Sequence, residues 1–122
     1  MSYDLALGVK VAELDNVFAE IATPEYDQPT YNLGKMFRKA TGWDFNQGEW
    51  YRCEEVLPKI QHGISELKFH RSAYKKYDAP NGWGTTDSAL QTLESLEDCI
   101  MRTCAEGEGY TDVPLSHLWV KW

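Results

Sequence analysis

Two long stretches of this chain repeat apolar residues at steps of three and four, the period of a helix with one buried face. In the first, Cys53, Leu57, Ile60, Ile64, Leu67 and Tyr74 keep the step, save for the slot held by Arg71. In the second, the face is Ala89, Leu90, Leu93, Leu96, Ile100, Met101 and Cys104, and Glu94, Glu97 and Asp98 lie opposite. Between them, Asp78-Ala-Pro-Asn-Gly-Trp-Gly84 is dense in turn-forming residues. Two amphipathic helices of similar length with a short connection predict an antiparallel helix hairpin. The first helix is basic and the second acidic, which helps to set their register.

The ends of these helices follow from local signals. Asn46-Gln-Gly-Glu49 has the form of a capping box and opens the first helix, which runs to about Tyr77. Pro58 falls inside the pattern, so either it kinks the helix or the helix proper starts near Leu57. Thr85 or Thr86 caps the second helix, which runs to about Ala105 and is ended by Gly107–Gly109. A shorter helix over roughly 32–41 has Leu33, Met36, Phe37 and Ala40 as its apolar face, Thr30 or Asn32 as its cap and Gly42 as its stop.

The remainder reads as strand and loop. Tyr3, Leu5 and Leu7 alternate with Asp4 and Ala6, and Val9 and Val11 flank Lys10. Asp15-Asn16 is a turn signal ahead of Val17–Ala22, which makes residues 1–23 a hairpin. Pro24 and Pro29 mark the segment from Thr23 as a loop. Pro114 starts one short turn, and Leu118-Trp-Val-Lys-Trp122 alternates as a final strand that pairs with the hairpin. The expected fold class is α+β, in one domain over 1–122: a small antiparallel sheet, made of the N-terminal hairpin and the C-terminal strand, packed on a helical layer.

At 122 residues and 43% hydrophobic content the chain can bury a core without a metal or disulfide staple. It contains no apolar run of about 18 residues, the length a membrane span needs. Met1–Asp4 has neither a basic nor an apolar leader region, and Cys53, Cys99 and Cys104 are odd in number. These features predict reduced thiols and a cytoplasmic protein with no membrane partner. A net charge of −7 opposes binding to duplex nucleic acid, which rests on many phosphate contacts.

The charge is unevenly placed. Lys35–Lys76 holds nine of the twelve Lys/Arg and five acids, about +4 in an acidic chain. Tyr31, Phe37, Trp43, Phe45, Trp50, Tyr51, Tyr74, Tyr77 and Trp83 lie in or beside it. Cations beside flat rings suit a ligand that is anionic and planar, such as a nucleotide; the plainer reading is a solvated basic face over an aromatic core. Two loops sharpen the first reading. Tyr31-Asn-Leu-Gly-Lys35 and Asn81-Gly-Trp-Gly-Thr85 each put an aromatic, an Asn, a Gly and a hydrogen-bonding side chain at a helix start. Tyr31, Trp43 or Trp83 would stack on a base. Lys35, Arg38 and Arg52 would pair with phosphate, and Asn32, Asn81 and Thr85 would hydrogen-bond.

Signs of catalysis are weak by comparison. His62, His70 and His117 stand in no metal-ligand spacing, and Cys99 and Cys104 point in different directions on a helix. The chain has no nucleophile elbow, phosphate loop or dinucleotide fingerprint. Glu54-Glu55 and Glu97-Asp98 are adjacent and diverge on helices. The expectation is a protein that is not an enzyme and uses no cofactor or metal.

Several motifs are also familiar as a set. Pro29-Thr-Tyr-Asn-Leu-Gly-Lys-Met-Phe-Arg38, Thr41-Gly-Trp-Asp44, Gly48–Tyr51, Pro80-Asn-Gly-Trp-Gly84, Leu93-Glu-Ser-Leu-Glu-Asp-Cys-Ile100 and the segment 114–122 resemble a family of small phage and prophage proteins, mostly of Gram-positive bacteria. The likeness runs from about residue 20 onward and supplies a setting but no chemistry. It implies an accessory protein in the cytoplasm of an infected host, one acting against host defence. A structural phage component is permitted by the acidic composition but selected by nothing; two other functions are favoured. One is sequestration, without turnover, of a nucleotide-derived immune signal of the ADP-ribose or cyclic nucleotide type, and this reading admits a homo-oligomer. The other is inhibition of a host defence protein through the acidic segments 1–34 and 87–108, each of net charge −5.

Overall fold

The computed structural model describes residues 1–11, 17–105, 107 and 112–122. The turn expected at Asp15-Asn16 and the helix stop expected at Gly109 lie outside them. The fold is α+β, with four antiparallel strands rather than three. Strand β1, Ala6–Lys10, pairs on one edge with β2, Phe18–Ala22, which is the expected hairpin. Its other edge takes β4, Leu118–Lys121, as the alternation of that segment predicts. Strand β3, Trp50–Arg52, adds to the outside of β4 and gives the order β2-β1-β4-β3.

Strand β3 corrects the sequence reading, which assigns these residues to a helix. The Asn46–Glu49 segment closes on itself: the Glu49 N–H donates to the Asn46 carbonyl at 3.2 Å, and the two side chains meet at 3.4 Å. Gly48 N–H then donates to the Trp122 carbonyl at 2.7 Å. These bonds tie the segment to the C-terminal strand, so the bulky Trp50 and Tyr51 enter the sheet edge, where such residues are favoured. Helix α2 begins only at Cys53 and ends at Phe69. Glu54 and Glu55 in its first turn complement the helix dipole, and Pro58 lies within it rather than before it. Arg71–Ala73 and Lys75–Tyr77 are separate 3-10 turns. Arg71 breaks the apolar step because the helix has already ended, yet the turns still deliver Tyr74 to the core.

The other helices match their signals closely. The 3-10 turn Tyr31–Leu33 is capped by Thr30, whose hydroxyl accepts from the Asn32 N–H, and it leads into α1, Gly34–Thr41, stopped at Gly42. Helix α3, Thr86–Cys104, is capped by Thr85. It runs antiparallel to α2, since the Lys68–Glu94 pair at 3.8 Å and the Arg71–Asp87 pair join the end of α2 to the start of α3. Met101, expected on the buried face, is exposed, and Thr92 and Thr103 are buried instead. Their hydroxyls donate to the carbonyls of Ser88 and Cys99 one turn back, which satisfies them inside the core.

The core lies between this helical layer and one sheet face. Leu7, Leu118 and Val120 point inward, and Trp122 packs edge-on against Phe37 and Phe45 at ring separations of 4.9 and 4.4 Å. Strand alternation therefore turns Gly8, Lys10, Phe18, Glu20, Trp50, Arg52, Trp119 and Lys121 to the outer face, which no helix among the described residues covers. Among the described residues no helix is long and apolar enough to cross a membrane.

Candidate functional site

The two Asn/Gly/aromatic loops meet. The Asn32 amide donates to the Trp83 carbonyl at 2.9 Å, and a side chain on Gly84 would strike Asn32 Cβ at 3.0 Å. Their polar groups, however, are already partnered inside the protein. Asn81 Oδ1 accepts from the Trp83 N–H at 3.0 Å, and Thr85 Oγ1 accepts from the Ser88 N–H at 3.2 Å. Each bond shapes a turn or caps a helix. Trp83 itself is 71% exposed and Lys35 is exposed.

The other expected site residues scatter. Trp43 is 3% exposed and packs among Phe45, Tyr51 and Trp122, so it has no face to offer a ligand. Tyr31 sets its ring against Tyr3 at 4.7 Å, and its hydroxyl accepts from Gln47. Arg38 lies over the Phe45 ring at 4.3 Å and donates to the Phe45 carbonyl at 3.4 Å, with Asp44 at 3.9 Å. Arg52 is in β3, on the outer face of the sheet.

That outer face gathers aromatic and basic groups from four strands. Phe18 stacks on Trp50 with ring centroids 4.8 Å apart and 15° between planes, and meets Trp119 edge-on at 5.0 Å. Gly8 makes the cluster possible: a Cβ there would lie 2.8 Å from the Trp50 ring and 2.7 Å from the Ala19 carbonyl oxygen. The Arg52 guanidinium lies 5.9 Å from the centre of the Trp119 ring and 3.4 Å from Glu54. The Lys121 ammonium lies 5.8 Å from Trp50 and 3.0 Å from Glu20. At these distances each cation still feels the negative face of an indole.

Trp119 separates two clefts on this face. One, of about 480 Å³, is lined by Lys10, Phe18, Gly48, Glu49, Trp50 and Trp119. The other, of about 470 Å³, is lined by Val9, Lys10, Arg52, Ser116, His117 and Trp119. Of these, Arg52 is the one residue that the sequence reading assigns to ligand binding; Trp50 enters it only as one of the aromatics beside the basic stretch. Trp119 and Lys121 were legible as one face of an alternating strand, but their convergence with Phe18 and Trp50 depends on strand order.

No family model, curated protein or solved structure matches this chain. On α2, Glu66 receives His62 at 3.9 Å, His70 at 3.5 Å and the Tyr74 hydroxyl at 3.3 Å. Burial, then the Glu66 charge, pushes the Tyr74 phenol up. No group of three or more His, Cys, Asp or Glu among the described residues is placed to hold a metal. All three cysteines are free thiols, and burial raises each of them above its ordinary value. A raised thiol stays protonated and is a poor nucleophile. What the outer face offers is stacking surface and positive charge.

Proposed function

We propose that this protein is a binding protein without turnover, and that the outer face of its sheet holds a nucleotide-derived ligand. The observation that carries this reading is the position of Trp119, one indole forming a wall of both an aromatic cleft and a basic one. Base stacking on aromatic rings and phosphate pairing with Arg and Lys are the two recurrent ways of holding a nucleotide. In the phage setting that the sequence resemblance implies, such a protein acts in the host cytoplasm, sequestering an ADP-ribose-type or cyclic nucleotide immune signal.

A thermal-shift screen of mononucleotides, dinucleotides, cyclic oligonucleotides and ADP-ribose derivatives tests the reading. A ligand at a hundredfold excess over Kd stabilises the native state by about 2.7 kcal/mol. A hit should also quench tryptophan fluorescence. Trp119→Ala should weaken it about tenfold to a hundredfold, since one stacked base is worth about 1–3 kcal/mol. The inward-facing Leu118 and Val120 keep that variant folded. The absence of any hit would sink the proposal.

A second reading, inhibition of a defence protein, draws on one feature. The Tyr26 N–H donates to Ser95 Oγ at 3.3 Å, which lays the acidic 23–29 loop along acidic α3. Glu25, Tyr26, Glu94 and Asp98 then border one shallow cleft, with Tyr26 44% exposed. Capture of a host protein through this face should weaken steeply with salt.

A further inference from the structure

We infer that the two clefts beside Trp119 divide one ligand between them, the aromatic cleft taking its base and the Arg52–His117 cleft its phosphate. The ligand class is then a nucleotide bearing a phosphate, and neither a free nucleoside nor a bare anion. This inference rests on the binding reading above and assigns its two halves.

Charge sets the polarity. Among the described residues, the lining of the Arg52–His117 cleft includes Arg52 and His117 and no carboxylate. In a chain of net charge −7 that is a distinctive lining. Four other clefts on the described surface all include acids: Glu25 and Asp27 in one, Glu25 and Asp98 in another, Glu25, Glu94 and Asp98 in a third, and Glu49 in the aromatic cleft. Glu49 disfavours a phosphate where the aromatic rings are, and it offers an acceptor to the amino edge of a base. The phosphate is thereby directed across Trp119.

Geometry agrees with the assignment. Arg52 is held by its strand pairing opposite Trp119, so its position is set by the sheet rather than by a loop. A guanidinium has five N–H donors in a rigid fork, and the contact with Glu54 runs from one terminal nitrogen at 3.4 Å. Lys10 borders both clefts, where a sugar–phosphate link would pass. Ser116 adds a hydroxyl to the basic side. The partial neutralisation of Arg52 by Glu54 makes this a weak site for inorganic phosphate alone, and the stacked base supplies the remaining affinity.

Calorimetric titration of the intact protein with each of the four common ribonucleosides, its 5′-monophosphate and inorganic phosphate decides the matter. For the best-bound base, the monophosphate should bind at least tenfold more tightly than the nucleoside, and inorganic phosphate should bind more weakly than either. Arg52→Gln and, independently, His117→Gln should each shrink the nucleotide-to-nucleoside ratio while leaving nucleoside affinity in place. Both positions are exposed, and circular dichroism verifies that the variants fold. Equal binding of nucleoside and nucleotide, or ratios untouched by both substitutions, would overturn the division while leaving the binding reading intact. Inorganic phosphate binding as tightly as the nucleotide would also overturn it, by separating the anion site from the aromatic one. If no nucleoside or nucleotide binds the wild-type protein, the division falls together with the reading beneath it.

Discussion

The side-chain amide of Asn32 donates a 2.9 Å hydrogen bond to the main-chain carbonyl of Trp83, joining the 3-10 turn before α1 to the turn before α3. The amide that looked available for recognising a base is instead a tie between two loops. Asn32→Ala should therefore lower stability by about 1 kcal/mol, the usual net worth of such a bond, in a urea denaturation series. Asn32→Asp should cost at least as much, because a carboxylate cannot donate and faces the carbonyl with negative charge. Nucleotide affinity should be unchanged in both variants. A loss of affinity with stability intact would return the site to these loops.

This junction shows what was legible in the sequence and what was not. The resemblance between the 31–35 and 81–85 loops did mark two segments that meet, but the same side chains serve a turn, a helix cap or a ligand. Composition cannot tell which. The stripes Leu33, Met36, Phe37, Ala40 and Ala89, Leu93, Leu96, Ile100 were legible because a one-sided helix must bury one side. The strand Trp50–Arg52 was not, since three residues are too few for a period and their extended state comes from pairing with β4. Missing β3 hid the site, because Trp50 and Arg52 reach Phe18 and Trp119 only across a completed sheet.

Gly8 is where fold and proposed site meet. An added Cβ would fall 2.7 Å from the Ala19 carbonyl oxygen and 2.8 Å from the Trp50 ring, distances that require backbone or indole to shift. Gly8→Ala should destabilise the protein by about 1–3 kcal/mol, the usual range for overpacking. It should also displace Trp50 from Phe18. Near-ultraviolet circular dichroism reads the aromatic rearrangement and denaturation reads the cost. Ligand affinity should fall together with the aromatic signal.

Trp122 anchors the core. It is 1% exposed and touches Tyr3, Phe37, Trp43 and Phe45. Trp122→Ala should cost about 3–5 kcal/mol by leaving a cavity among those rings. Trp122→Phe should be much milder. It keeps most of the aromatic volume and removes an indole N–H that is buried with no hydrogen-bond acceptor among the described residues. Midpoints of urea unfolding compare the two. Equal costs would show that the rings around Trp122 close over any vacancy.

Cys53 ties stability to alkaline pH. Its thiol is fully buried at the start of α2, and burial first, then Cys104 and Cys99 nearby, push it far above its ordinary value near 9. In the unfolded chain the thiol ionises near that ordinary value, whereas in the native protein it keeps its proton. Above pH 9 the native state therefore binds more protons than the unfolded state, so stability falls as pH rises. Below pH 9 both states hold the proton and the effect is absent. One such group contributes a slope of at most about 1.4 kcal/mol per pH unit. Cys99, Cys104 and Tyr74, also raised, act with the same sign. Urea midpoints between pH 8 and 10.5 should fall more steeply for the wild type than for Cys53→Ala, and a thiol reagent should modify Cys53 last. Parallel pH profiles, or early labelling of Cys53, would mean that the start of α2 opens to water.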